Sequence, residues 1–429
     1  MKVLVLGATG LIGAHVAARL QADGHQVIAA GRGRRMLERR FPGRWVHADL
    51  ATFDAGRWAE TLKGLDAVVN CAGALQDGLR DDLEAVHDAG VRALLAGCAA
   101  ADVKRYVHIS AAGLAEDRTT AFNRTKLAGE AAVRSSGLNW IILRPGLVLA
   151  PTAYGGSALL RALAAFPLAI PAVWPDRVVQ VIGMDDLASA VSCALTPGAP
   201  SGVVVDVLHE EPVRLDDLLG RMRLWLGHGP APVVAVPAVL ARLAGRAADG
   251  LGRLGWRSPM RTTSLEQLRL GVTGDGTQCA RILGVSPRPL DTVLNAWPVG
   301  VQERWFARLY LMKPVILAVL AAFWFASGVI GLISREAAGA VLAQAGTAPG
   351  LDRLMVLGGS AIDMALGLAV LFRPWARGAL WGMVLMTAVY LAGATLVRPD
   401  LWLEPLGPLV KTVPAAMLAL VALAMLDDR

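Results

Sequence analysis

Two patterns of hydrophobic and polar positions divide the chain. Lys2 to Leu6 is a short apolar, β-branched run, Gly7, Gly10 and Gly13 follow, Ala14 to Ala22 has helical spacing, and Gln26 to Ala30 is a second apolar run. The order strand, glycine turn, helix, strand predicts the start of a parallel βαβ layer. The last 120 or so residues instead carry four long apolar blocks bounded by charge. Val315 to Ser334 lies between Lys313 and Arg335, and Leu354 to Phe372 lies between Arg353 and Arg373 with Asp363 inside. Gly378 to Val397 lies between Arg377 and Arg398, and Pro405 to Leu426 holds Lys411 near its start. A bilayer crossing takes about 20 apolar residues, and these blocks lack the polar face that a soluble bundle would repeat at helical period. They predict four transmembrane helices, at residues 315–334, 354–372, 378–397 and 405–426.

Between these regions the signal is weaker. Residues 214–227 place Leu215, Leu218, Leu219, Met222 and Leu226 at helical spacing. Residues 236–256 place Leu240, Leu243, Ala247, Leu251 and Leu254 on one helical face, with Arg242, Arg246 and Arg253 elsewhere. A basic amphipathic helix of this kind lies on a bilayer surface or packs on a soluble core. The expected architecture is α/β, a doubly wound parallel-sheet domain over residues 1–210, followed by a partly helical segment at 211–300 on the substrate side. An all-α membrane domain of four transmembrane helices completes it at 301–429.

Charge orients the spans. Arg304, Arg308 and Lys313 precede the first and Arg373 with Arg377 join the second to the third, whereas the other two loops mix basic residues with Glu336, Asp352, Asp400 and Glu404. Positive loops favour the cytoplasmic side. The expectation is a multi-pass protein of the inner (plasma) membrane, with the nucleotide domain and the tail Asp427, Asp428, Arg429 both cytoplasmic. The net charge of +7 comes without a dense basic run interleaved with aromatics outside Arg32, Arg34, Arg35, Arg39 and Arg40. Nucleic acid is therefore not an expected partner, and attraction to anionic membrane lipid explains the excess. Cys71, Cys98, Cys193 and Cys279 are scattered without CxxC spacing, so neither a metal site nor a disulfide framework is expected. Glycines 7, 10 and 13 with His15 and Arg19 break up the first apolar run, which reads as mature structure rather than a signal peptide. No HExxH, GKS, GKT or nucleophile elbow points to hydrolase or kinase chemistry.

The glycine turn carries the chemistry. Gly7, Thr9, Gly10, Leu11, Ile12 and Gly13 are the candidate pyrophosphate site, because glycines allow a tight turn while the helix start offers N–H groups to phosphate. After the second strand stand Gly31 and Arg32, where a carboxylate would bind a ribose hydroxyl. A guanidinium suits a 2′-phosphate, which favours NADP over NAD; a solvated basic loop is the other reading.

Further motifs resemble the short-chain dehydrogenase/reductase superfamily in its extended and atypical branches. They are HADL at 47–50, VVNCAG at 68–73, VKRYVHISAAG at 103–113 and ILRPGLVLAP at 142–151, so that the resemblance covers about residues 1–210. It implies that Asp49 and Leu50 contact adenine, that Ala72 and Gly73 close over the cofactor, and that Ser110 stands at the catalytic serine position. It also implies that VIGMDDLASAV at 181–191 returns to the substrate side, with Asp185 and Asp186 starting a helix. Lys126 in FNRTK matches the family lysine, but Phe122 stands where the family has tyrosine. Loss of that acid removes a term of roughly 10² to 10⁴ in rate. Tyr154 is the candidate replacement phenol. Members lacking the tyrosine include nucleotide binders such as the complex I accessory subunit, which the chain also resembles.

The membrane part resembles the DoxX-like family through its four spans, Asp363 and EPLGPLVKTVPA at 404–415. Asp363 and Lys411 are expected to pair, or else to mark a proton or quinone site. Two functions follow: a membrane-anchored oxidoreductase on a lipid-soluble or quinone-like substrate, or a non-catalytic assembly or redox-sensing subunit docking another membrane protein.

Overall fold

The structure is a computed structural model of the 429-residue chain and describes every residue except 80, 345, 349, 406 and 427–429. The tail Asp427, Asp428, Arg429, expected to face the cytoplasm, lies outside the described residues. Two compact units form, one of Met1–Asp249 with Ser258–Ala307, the other of Gly250–Arg257 with Arg308–Arg429.

The first unit is built on a seven-stranded sheet. Strands β1 (Lys2–Leu6), β2 (Gln26–Gly31), β3 (Trp45–His47), β4 (Ala67–Asn70), β5 (Arg105–Ile109) and β6 (Trp140–Pro145) are joined by a seventh strand, Val203–Val207. From one edge the order is Val203–Val207, β6, β5, β4, β1, β2, β3, with every neighbour parallel. Strands covered on both faces read as continuous apolar runs, and successive side chains alternate between them. Val3, Val5, Val69, Val107, Ile141 and Leu143 feed one core with helices Leu11–Ala22 and Met184–Ala194. Leu4, Leu6, Val68, Tyr106 and Ile142 feed the other with helices Ala55–Leu62 and Gly90–Ala100. The chain order reverses between β1 and β4, and sheets of this class bind ligands outside the strand ends at such a switch point.

Most of the 211–300 segment lies in this unit. The helix expected at 214–227 is Leu215–Trp225, and its Leu215, Leu218, Leu219 and Met222 are buried with Val181, Leu290, Val293 and Trp297.

The second unit is all-α. Met312–Ile333 and Arg373–Val397 are long and apolar enough to cross a membrane. The third expected span begins earlier than its flanking Arg377 suggested, because Pro374 fits the first turn and lets the helix start at Arg373. Helix Leu351–Ala369 has 19 residues and carries Asp352, Arg353 and Asp363. The fourth block is not one helix: a 3₁₀ turn at Val410–Thr412 precedes helix Val413–Ala424, which has Pro414 in its first turn. Pro405, Pro408 and Gly407 at φ +57° account for the late start. A short helix, Arg335–Gln344, went unforeseen between the first two blocks.

Glycines set the helix spacing here. A side chain on Gly328 would come 2.9 Å from Met364 N, and one on Gly367 would come 2.7 Å from Phe325 N, so Met312–Ile333 and Leu351–Ala369 pack backbone to backbone. The expected Asp363–Lys411 pair does not form. Asp363 is buried and accepts hydrogen bonds from Ser327 Oγ at 2.9 Å and Tyr390 OH at 2.7 Å, while Lys411 is exposed on the 3₁₀ turn. Two hydroxyls from neighbouring helices satisfy the carboxyl where a lysine would have had to be carried in from another segment.

Candidate functional site

β1 ends in a turn that only glycine allows. Gly7 has φ +78°, and a Cβ there would press to 2.9 Å on Ala72 N and Cys71 C in the loop after β4. The Gly7 and Ala8 amides donate to Ala30 O at 2.9 and 3.1 Å, and Gly10 N–H closes the turn on Gly7 O at 2.8 Å. A Cβ on Gly13 would overlap the Gly7 carbonyl and lie 2.6 Å from its carbon. Gly10 caps helix Leu11–Ala22 without a side chain, and the first intrahelical bond is Ala14 N–H to Gly10 O at 3.1 Å. The N–H groups of Leu11, Ile12 and Gly13 therefore head a helix with no side-chain acceptor, an arrangement suited to an anion.

The other expected contacts fall around this turn unevenly. Thr9 Oγ1 lies 3.6 Å from the Cβ position of Gly31, which puts Thr9 at the end of β2. Arg32 follows at once, and its Nη2 binds Asp81 Oδ1 at 2.6 Å, a carboxylate partner the sequence did not announce. Asp49 is half-buried beyond β3 and accepts from Ala51 N–H at 3.1 Å. Leu50 is buried with Trp58, Val86 and Val91, so its side chain belongs to the core.

At the C-terminal ends of β4 and β5, the same sheet edge as the glycine turn, stands Lys126, on helix Ala121–Arg134. Its buried Nζ donates to Ile109 O at 3.1 Å and lies 3.4 Å from the Cβ position of Gly73. Burial pulls the ammonium down to about 8, against the opposing pull of Glu130 and Cys71. One turn earlier, Phe122 packs edge-on against His87, with ring centres 5.8 Å apart.

His87 is a site residue that no motif in the chain signalled. It sits on a single π-helical turn, Ala85–Ala89, a feature that often marks functional positions. Its Nε2 accepts from Ala74 N–H at 3.1 Å, which leaves Nδ1–H to donate to Thr125 Oγ1 at 3.0 Å. Burial holds the imidazole neutral, with its pKa brought down to about 2, and the nearby Lys126 and His108 push the same way.

Ser110, at the family's serine position, donates its hydroxyl to Glu130 Oε1 at 2.6 Å. Glu130 is fully buried and also receives Arg144 Nε at 2.7 Å and Nη2 at 2.6 Å, with Arg134 Nη2 at 2.9 Å. A carboxylate between two guanidiniums accepts only, so Ser110 spends its one proton there and turns lone pairs, not a donor, to any other group. Glu130 had a signal in hindsight, four residues after Lys126 and four before Arg134 on one helix. Tyr154 is half-buried at the start of helix Gly155–Ala164, where its carbonyl accepts from Ser157 N–H and Oγ at 3.1 and 2.9 Å. Asp186 ties helix Met184–Ala194 to Arg288, by 3.0 Å to its N–H and 2.8 Å to Nε.

A family model described as NAD(P)H-binding matches residues 7–162, and one described as a DoxX-like family matches residues 321–420. The chain is 27% identical over 202 residues to ceramide reductase of Caulobacter vibrioides, covering 46% of this chain and 61% of that protein. It thus spans less than two thirds of that relative's length. It is also 27% identical over 322 residues to sterol demethylase protein B of Methylococcus capsulatus, covering 67% of this chain and 94% of that one. Among solved structures it resembles UDP-glucuronic acid 4-epimerase of Bacillus cereus in complex with UDP-glucuronic acid and NAD, with a TM-score of 0.52 at 17% identity over 72% of this chain and all of that one. At that identity the likeness is one of fold. The chain joins an N-terminal NAD(P)-binding Rossmann domain to a C-terminal DoxX-like domain carrying apolar helices of membrane length.

Proposed function

We propose that this chain is a membrane-anchored NAD(P)H-dependent oxidoreductase acting on a lipid-soluble or quinone-like carbonyl, with NADP preferred. The observation that carries the proposal is Lys126, a buried ammonium held between Ile109 O and the Gly73 backbone beside the glycine turn. The names of two relatives, a ceramide reductase and a sterol demethylase protein, support a lipid substrate.

The residues present fit a dinucleotide. The uncapped start of helix Leu11–Ala22, with Gly7, Gly10 and Gly13, would take the pyrophosphate, Thr9 and Arg32 the ribose carrying the 2′-phosphate, and Asp49 with the Leu50 backbone the adenine side. Ala72 and Gly73 would lie along the cofactor, and Lys126 would hold the nicotinamide ribose. When bound, the cofactor supplies a hydride. This chain must supply the proton. Phe122 has none to give and Ser110 has committed its own to Glu130, so the donor is the Lys126 ammonium, which is poised near neutrality. Tyr154 is the second candidate acid. The DoxX-like unit anchors the protein in the inner membrane through Met312–Ile333 and Arg373–Val397, with the apolar helices Leu351–Ala369 and Val413–Ala424 beside them and the nucleotide domain on the cytoplasmic side.

Phe122 and the engaged Ser110 also favour a second reading, a nucleotide-binding assembly or sensing subunit without turnover. Activity of the detergent-purified chain with NADPH and long-chain ketone or quinone acceptors separates the two. Under the first reading Lys126→Ala abolishes turnover, Tyr154→Phe spares it and Phe122→Tyr raises it by adding a phenol one turn from the ammonium. Tightly held nucleotide without turnover in any of these proteins would establish the second.

A further inference from the structure

Helix Ala238–Arg253 is assembled the wrong way round for a soluble protein. Its small residues face inward: Ala241, Gly245 and Ala248, at i, i+4 and i+7, are buried. A Cβ on Gly245 would come 2.9 Å from Leu265 Cδ1 and 3.3 Å from Thr262 Cγ2, so helix Thr262–Leu270 presses on that side. The large residues face outward. Val239, Leu240 and Leu243 are each more than half exposed, and Leu251 and Leu254 continue the same stripe, more than a third exposed. Arg242, Arg246 and Arg253, also exposed, lie along one flank. Exposed apolar stripes of this length mark an interaction surface.

We propose that this stripe lies in the headgroup–acyl boundary of an anionic bilayer, its arginines on lipid phosphates. The proposal rests on the membrane reading of the all-α unit but is independent of the catalytic one. Chain continuity selects the occupant. The helix ends three residues before Trp256, whose Nε1 donates to Leu371 O at 2.6 Å and whose ring lies 5.5 Å from the Arg373 guanidinium and 6.0 Å from Lys313 Nζ. Arg373 N–H also binds Leu254 O at 3.0 Å. Lys313 and Arg373 begin the two helices of membrane length, and a tryptophan with basic neighbours at span ends is characteristic of the membrane–water interface. The apolar stripe is thus covalently tied to that boundary. Aliphatic residues on one side and arginines along the edge are the composition of a helix lying in the interface plane. A second copy on the same stripe would bring like charges together.

The test places a benzophenone-bearing amino acid at position 243 of the full chain, reconstituted in phosphatidylcholine vesicles with and without phosphatidylglycerol. After irradiation, the expected product is a lipid adduct at position 243, enriched in phosphatidylglycerol when that lipid is present. Replacing Arg242, Arg246 and Arg253 together by Gln should bring that enrichment down towards parity, while the adduct itself persists through the leucines. Adducts only to a second copy of the chain, or no adduct from chain that stays in the vesicles after alkaline carbonate, would overturn the inference. Chain released by carbonate would overturn the membrane reading and the inference with it.

Discussion

Replacing Gly13 by alanine adds one methyl where the start of helix Leu11–Ala22 meets the turn after β1. That methyl would overlap the Gly7 carbonyl, 2.6 Å from its carbon and 3.0 Å from Ala8 Cα. Ordinary contact begins near 3.4 Å, so helix and turn must part by about 1 Å. All three obstructing atoms are backbone and no rotamer relieves them. Overpacking of this kind costs about 1–3 kcal/mol, and alanine's better helix propensity returns about 1 kcal/mol. We expect a net loss of up to about 2 kcal/mol in stability. The larger effect is on nucleotide affinity, since the Leu11, Ile12 and Gly13 amides move away from where phosphate would sit. Losing one charge-assisted hydrogen bond, about 1.5–3 kcal/mol, weakens binding by about tenfold or more. The control is Gly220→Ala in helix Leu215–Trp225, where an added Cβ meets nothing within 4 Å. It should stabilise by up to about 1 kcal/mol and leave binding alone. Calorimetric titration of NADPH and thermal unfolding of detergent-purified chain measure both. A Gly13→Ala protein with wild-type affinity and melting temperature would show that the turn tolerates the added methyl and that the helix start does not hold phosphate.

Other expectations follow from the same geometry. NADPH should bind more tightly than NADH; Arg32→Asp should narrow or invert the difference and Asp81→Asn should widen it by removing the carboxylate beside Arg32, whereas equal wild-type affinities would remove the NADP preference. Burial brings His87 down to about 2 and His108 to about 3. The unfolded chain therefore takes up two protons below its ordinary value of about 6.5 that the folded chain refuses. Stability is full above that value and falls as pH drops towards the folded values, by about 3 kcal/mol for the pair between pH 7.5 and 5.5. His87→Gln should remove about half of that slope in urea unfolding, and an unchanged slope would contradict it. A topology reporter fused after Arg429 should be active on the cytoplasmic side, and activity only on the external side would overturn the charge-based orientation.

The parallel sheet was legible because its strands, covered on both faces, leave unbroken apolar runs, and because the glycine spacing marks the first turn. Lys126 and Phe122 could be placed from the helix motif alone. What stayed hidden depends on distant chain segments meeting. Nothing near Asp81 announces its pairing with Arg32, and nothing near Ser110 announces that its hydroxyl will donate to Glu130. His87 lies on a π-helical turn, a local change of winding that apolar periodicity does not encode. In the all-α unit, apolarity located the blocks but not their ends. Pro374 extended one helix past its flanking arginine, while Pro405, Gly407 and Pro408 delayed another. Asp363 was read as a charge in search of a counter-charge, and two hydroxyls from adjacent helices met it first.

If the glycine turn and Lys126 serve hydride transfer to a lipid-soluble acceptor, hydrogen from the nicotinamide must reach that acceptor. The most direct measurement is the fate of deuterium from NADPH labelled at both nicotinamide C4 positions, incubated with the vesicle-reconstituted chain and a long-chain ketone, whose reduced carbon keeps the label. The expected product is heavier by one deuterium, formed by the wild-type chain and absent with Lys126→Ala. Label that stays on a tightly bound nucleotide, with no labelled product from any acceptor, would contradict it.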